Sequence, residues 1–219
     1  MTQTQPQGFL AAPSGDQGPG VLVLHAWWGL NDTIKAFCTR LADDGFVAFA
    51  PDLYRGRVAD DIPGAEVLRD QLDANADRAV ADVAEAARFL RGRVGNARGG
   101  LAVVGFSLGA YFAFDLSVRA PDHIGSVVVY YGTRPGGDYG AAKASYLGHF
   151  AENDEFEPRS GVDELEESLR SAGRAVTFHH YAGTGHWFAE PDRKESYNQP
   201  AATLAWDRTL EFLKTAARA

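Results

Sequence analysis

Apolar residues in this chain fall into short unbroken blocks, separated by longer stretches where they recur every three or four positions. Val21-Leu22-Val23-Leu24, Phe46 to Ala50, Leu101-Ala102-Val103-Val104, Ile124 to Tyr130, Ser145 to Ala151 and Ala175 to Tyr181 are blocks of the first kind. Each has the length and composition of a strand buried on both faces. Phe9 to Ala12 predicts a shorter strand ahead of the Gly- and Pro-rich loop Pro13 to Gly20. Between the blocks lie helical patterns. Asn31 or Asp32 can cap a helix with Ile34, Phe37, Cys38 and Leu41 on one side, ended by Gly45. A long amphipathic pattern runs from about Ala65 to Arg93, and shorter ones cover Ser107 to Arg119, Val162 to Ala172 and Ala201 to Ala216. Strand and helix alternate along the chain with neither repeat nor long linker. That alternation predicts one α/β domain spanning 1–219: a mostly parallel, doubly wound sheet with helices on both faces.

In such sheets ligands bind beyond the carboxyl ends of the strands, so the candidate chemistry is sought there. After Leu101 to Val104 comes Gly105-Phe106-Ser107-Leu108-Gly109, a G-x-S-x-G pattern set between a strand and a helix. A nucleophilic serine uses this arrangement because the tight turn lifts its hydroxyl above the sheet edge. The glycines remove Cβ atoms that would collide where strand and helix meet. The Leu108 N–H, at the positive end of the following helix, is a candidate oxyanion donor. The second candidate is the Trp27 N–H, in the loop His25-Ala26-Trp27-Trp28-Gly29 after the strand at 21–24.

A serine nucleophile needs a base. Of six histidines, His186 alone sits in a glycine-flanked loop, Gly183-Thr184-Gly185-His186-Trp187-Phe188, directly after the last strand. His149, His179 and His180 fall within strands, His123 follows a surface Pro-Asp, and His25 better serves its own loop. The acid belongs after the strand that precedes the base, since chain order in this arrangement is Ser, then Asp or Glu, then His. Glu152-Asn153-Asp154-Glu155-Phe156-Glu157-Pro158 follows Ser145 to Ala151. Asp154 occupies the turn position best suited to the role, and Glu152 is the next candidate.

Composition narrows the partners. Twenty-one basic against 29 acidic side chains leave a net charge of −8, which argues against nucleic acid or anionic membrane. Arg88, Arg91, Arg93 and Arg98 cluster near one predicted helix end and read as a solvated face. No apolar run approaches a membrane span, and Met1 to Gln7 has no signal-peptide pattern. With Cys38 as its one cysteine the chain forms no internal disulfide. No spaced cluster of His, Cys and Asp predicts a metal, and no cofactor motif is visible. The expectation is a cytoplasmic enzyme, monomeric or homodimeric, acting on a small molecule.

Several of these stretches together resemble the dienelactone hydrolase family, small single-domain members of the α/β-hydrolase fold. The resemblance rests on His25-Ala26-Trp27-Trp28-Gly29-Leu30-Asn31, Ala50-Pro51-Asp52-Leu53-Tyr54, the Ser107 turn, Tyr130-Tyr131-Gly132, Asp154-Glu155-Phe156-Glu157-Pro158 and Gly185-His186-Trp187-Phe188-Ala189. It implies ester or lactone hydrolysis with neither metal nor organic cofactor, and it favours Asp154 over Glu152.

Three departures stand out. The family usually has cysteine at the place of Ser107, and glutamate at the place of Ala26 to manage the thiol's proton. Their joint absence points to a natural serine variant, since a hydroxyl held by His186 does not need that carboxylate. A replacement of cysteine by serine is the other reading, and it leaves Ala26 unexplained. Third, the family's arginine for a substrate carboxylate corresponds here to Glu190, which is expected to repel an anionic substrate. Arg55 and Arg57 offer positive charge nearby, though surface solvation suits them better. Trp28, Tyr54, Tyr131 and Trp187 are the candidate substrate-binding residues, in an aromatic, mostly apolar pocket with Trp27, Tyr130 and Phe188. Neutral short-chain esters or lactones are therefore the expected substrates. Dienelactone itself and a non-catalytic, hydrolase-like binding role are the alternatives.

Overall fold

A computed structural model describes residues 4–94 and 99–218. Arg98, counted above with the basic cluster, lies outside the described residues. Seven strands form one sheet: β1 (Gly8–Ala11), β2 (Gly20–Leu24), β3 (Val47–Pro51), β4 (Leu101–Phe106), β5 (Ile124–Tyr130), β6 (Ser145–Ala151) and β7 (Val176–Tyr181). Their order is β1-β3-β2-β4-β5-β6-β7. β1 pairs antiparallel with β3, and every other pairing is parallel. Parallel neighbours must be joined by crossovers, which is why helices separate most of the strands.

The helices are α1 (Asp32–Asp43), α2 (Ile62–Asp73), α3 (Ala76–Val94), α4 (Leu108–Arg119), α5 (Arg159–Ser171) and α6 (Gln199–Ala216). Asn31 caps α1, its side chain accepting the Ile34 N–H at 3.1 Å. The long amphipathic pattern predicted as one element is two helices. α2 begins at an Asp61 cap with Pro63 in its first turn, and the chain turns at Ala74-Asn75. The Asn75 carbonyl then accepts the Arg78 and Ala79 N–H groups, starting α3. α5 begins three residues earlier than expected, with Pro158 at its N-cap.

The two faces of the sheet are covered by different helices. On β6, Tyr146 stacks on Phe114 of α4, with centroids 5.8 Å apart. His149, three residues on and so on the opposite face, reaches Thr209 of α6 at 2.9 Å. α1 shares the α6 face, Phe37 meeting Trp206 edge-on at 5.0 Å. The strands β2, β3 and β4 are buried throughout, as their unbroken apolar runs require. From β2 the chain moves outward to β3, then crosses back to β4 on the other side of β2. The topological switch point therefore lies between β2 and β4, and their carboxyl ends carry His25–Gly29 and Ser107.

Candidate active site

Ser107 stands between β4 and α4 with φ 47° and ψ −113°, a left-handed backbone that an L-residue adopts only under constraint. Of the five non-glycine residues with positive φ among those described, Ser107, Tyr131 and Trp187 all belong to this region. The flanking glycines are required sterically. A Cβ on Gly105 would lie 2.6 Å from the Gly109 carbonyl oxygen. A Cβ on Gly109 would strike the Leu24 carbonyl oxygen and come within 2.8 Å of that of His25. Gly109 thus lets α4 seat directly on the end of β2, beside the loop carrying Trp27. From the other side, Gly132 brings the exit of β5 against the Ser107 backbone.

Ser107 Oγ lies 2.9 Å from His186 Nε2. His186 Nδ1 faces both Asp154 oxygens, at 2.9 and 2.8 Å. Three side chains separated by long stretches of chain therefore form one hydrogen-bonded line at the carboxyl rim of β4, β6 and β7. The imidazole and the carboxylate are each 3% exposed, while Ser107 remains half-buried. Asp154 Oδ1 also accepts the Phe156 and Glu157 backbone N–H groups, at 3.0 Å each. These bonds lock the carboxylate in an Asx-type turn. Glu152, the other acidic candidate, instead accepts the Gly183 N–H at 2.8 Å and so ties the acid loop to the loop carrying the histidine.

The remaining histidines have other partners or none of this kind. His25 is fully buried, with Nδ1 on the Ala26 carbonyl at 2.7 Å and Nε2 accepting the Leu53 N–H at 3.3 Å. Burial pushes its pKa down. His149 is enclosed between Tyr181 and Thr209 hydroxyls, and burial holds its pKa well below the usual value.

The Leu108 N–H belongs to the first turn of α4, whose amides have no partner within the helix. The Trp27 N–H, in the turn closed by Gly29 N–H on the Ala26 carbonyl, has no hydrogen-bond partner among the described residues. Trp27 stacks on Trp187 at 5.8 Å, Trp28 meets Trp187 edge-on at 5.2 Å, and Phe156 covers His186 at 5.0 Å. Phe156 is 44% exposed, so it supplies reachable apolar surface beside the imidazole. A separate cleft of about 570 Å³ is bordered by Gly100, Leu101 and Ile124. It opens at the amino ends of β4 and β5, away from the serine.

Three of the four residues predicted to touch substrate are enclosed instead, Trp28 among them at 2% exposed. Tyr54 is 2% exposed and packs on His25; Tyr131 is wholly buried behind His186, ring centroids 5.0 Å apart. Trp28 lies under the Arg193 guanidinium, 4.1 Å from the ring centroid. Only Trp187, of the four, packs directly against both Trp27 and Phe156.

Glu190 also departs from expectation. It is buried, accepts the Tyr131 O–H at 2.8 Å, and has its pKa pushed up to about 8, chiefly by burial. A group so held favours its protonated form, and it has no exposed surface from which to repel an anion. Arg55 pairs with Asp82 and Arg57 bonds the Tyr54 carbonyl, so both guanidinium groups are engaged elsewhere.

Glu157, a further carboxylate of the Asp154 loop, has a bridging place in the structure. It accepts both the Thr133 N–H and O–H, at 3.2 and 2.7 Å, joining the acid loop to the exit of β5. Only its spacing from Asp154 hinted at this. Among the described residues, no group of three His, Cys, Asp or Glu side chains could hold a metal, and no helix is long and apolar enough to cross a membrane.

Comparison with known proteins follows the same lines. A model of the Dienelactone hydrolase family matches residues 7–217. "Protein usf" of Aquifex pyrophilus is 32% identical over 214 residues, covering 95% of this chain and 92% of the relative. A protein of Aquifex aeolicus named "Putative carboxymethylenebutenolidase" is 31% identical over 222 residues, covering 95% and 93%. The crystal structure of the dienelactone hydrolase-like promiscuous phosphotriesterase P91, from metagenomic libraries, superposes with a TM-score of 0.79 at 20% identity. The match covers 94% of this chain and 88% of that one, and shows a common fold.

Proposed function

The chain belongs to the dienelactone hydrolase family, an α/β-hydrolase family, and from that premise we propose that it hydrolyses small carboxylic esters or lactones with Ser107 as nucleophile. The observation that carries this reading is the continuous line from Ser107 Oγ through His186 to Asp154. His186 Nε2 takes the Ser107 proton as Oγ attacks the substrate carbonyl carbon. The oxygen that becomes negative is held by the Leu108 and Trp27 N–H groups. Asp154 keeps the proton-bearing Nδ1 aimed at itself and stabilises the imidazolium without taking the proton. His186 then protonates the departing alkoxide, leaving an acyl group on Ser107. A water deprotonated by the same imidazole attacks that acyl group, and the proton returns to Ser107 as the acid leaves.

Trp27, Trp187 and the exposed ring of Phe156 favour apolar or aromatic groups beside the reacting carbon. A second reading, hydrolysis of an anionic lactone such as dienelactone, is favoured by the name of the Aquifex aeolicus relative. The nucleophile is tested by incubating the protein with a fluorophosphonate and mapping the adduct by peptide mass spectrometry. A stoichiometric adduct on Ser107 supports the proposal, and absence of any adduct contradicts it.

A further inference from the structure

A hydrogen bond at Nδ1 fixes one atom of the His186 imidazole, yet leaves the ring free to tilt about that contact. Transfer of the Ser107 proton requires Nε2 to stay aimed at Oγ, so the ring plane must be held as well. Tyr131 packs against the imidazole at 5.0 Å with a 58° interplanar angle and against Phe188 at 5.4 Å. Tyr131 is itself under constraint. Its φ is 38°, its N–H donates to the His149 carbonyl at 2.8 Å, and its hydroxyl donates to Glu190 at 2.8 Å.

Glu190 has no exposed surface. Its backbone is fixed in a turn in which Glu190 N–H donates to the Trp187 carbonyl and Arg193 N–H donates to the Glu190 carbonyl. One carboxyl oxygen serves Tyr131, and the other has no hydrogen-bond partner among the described residues. A carboxyl group buried in that way is unfavourable for the fold, and the one side-chain hydrogen bond it makes among the described residues leads to the ring behind His186.

We infer that Glu190 is a positioning residue, which through the Tyr131 hydroxyl holds the Tyr131 ring against His186 and so keeps Nε2 aimed at Ser107. This rests on the reading of Ser107 and His186 given above. Misplacement of a reacting group by about 1 Å lowers rates by up to about 100-fold. Glu190→Ala and Tyr131→Phe are therefore each expected to lower kcat by about 10- to 100-fold, with KM within about twofold of wild type. Glu190→Gln can still accept the Tyr131 O–H and is expected to keep kcat within about threefold of wild type. The double variant Glu190→Ala/Tyr131→Phe is expected to be no slower than the slower single variant, because both changes break one link.

The experiment measures kcat and KM on p-nitrophenyl butyrate, normalised to active sites titrated with fluorophosphonate, alongside the melting temperature of each variant. A merely structural role lowers the melting temperature and the number of active sites but leaves kcat per site unchanged. That result in both single variants overturns the inference, as does a Glu190→Gln enzyme as slow as Glu190→Ala, or losses that multiply in the double variant. If Glu190→Ala does not fold, Tyr131→Phe, which removes one oxygen, decides the matter. Failure of wild-type Ser107 to label would instead reject the nucleophile assignment itself.

Discussion

Asp154 Oδ2 lies 2.8 Å from His186 Nδ1, and Oδ1 of the same carboxylate accepts two backbone N–H groups from its own loop. The Asp154 carboxylate is thus fixed by its own turn as well as by the imidazole. Asp154→Asn keeps the shape but presents either an amide donor or a neutral acceptor to Nδ1. It is expected to lower kcat by about 10³- to 10⁴-fold with little change in KM, by the tautomer argument for such triads. Steady-state kinetics on p-nitrophenyl butyrate check this, and a loss below tenfold would contradict the role.

Gly109 provides a purely steric test. A Cβ there meets the Leu24 carbonyl oxygen and lies 2.8 Å from that of His25. Both are backbone atoms of the β2 end, so relief requires α4 to move away from the sheet. Gly109→Ala is expected to destabilise the protein by about 3 kcal/mol, measured by urea unfolding, and to lower kcat by displacing Ser107 from its partners. Unchanged stability would mean that α4 does not seat on β2 as described.

Glu190 gives stability a specific pH dependence. Its folded pKa is raised from 4.5 to about 8 by burial, with Asp192 adding to the rise and Tyr131 and Arg193 opposing it. Between those values the unfolded chain is ionised here while the folded chain keeps its proton. The contribution to stability is therefore full below about 4.5 and is lost as pH rises through about 8. Glu190→Gln removes this dependence. Relative to wild type it should gain stability from pH 5 to pH 9, with a slope of at most about 1.4 kcal/mol per pH unit. Urea unfolding of both proteins at pH 5, 7 and 9 measures it; a difference constant with pH would contradict the buried, protonated carboxyl.

Substrate charge is the fourth expectation. Arg193, stacked on Trp28, uses its guanidinium on the Asp60 carbonyl and Asp192, and Arg55 and Arg57 are engaged elsewhere. The reachable rings beside His186 are apolar. Neutral short-chain esters should give a higher kcat/KM than anionic dienelactone. A competition between p-nitrophenyl butyrate and dienelactone that favours the lactone would reverse this assignment of substrate class.

Much of the fold was legible because strands buried on both faces carry unbroken apolar runs: Ile124 to Tyr130 and Ser145 to Ala151 have the boundaries read from sequence. The break between α2 and α3 was not, since apolar spacing continues across it. The signal lay in Asn75, a good cap followed by Asp77, set between alanines that suit a helix. The serine, histidine and acid were each marked by flanking glycines or by position after a strand, and the structure brings all three together. The enclosure of Tyr54 and Tyr131 and the burial of Glu190 were not legible. They depend on which side chains meet across the sheet edge, and no local periodicity encodes that.

The proposed reaction turns on Ser107 as nucleophile. The most direct measurement is the turnover of p-nitrophenyl butyrate by Ser107→Ala, with circular dichroism verifying an unchanged fold. Expected is a fall in kcat of at least about 10³-fold, beyond the reach of repositioning alone. A folded Ser107→Ala enzyme that turns over within tenfold of wild type would contradict it.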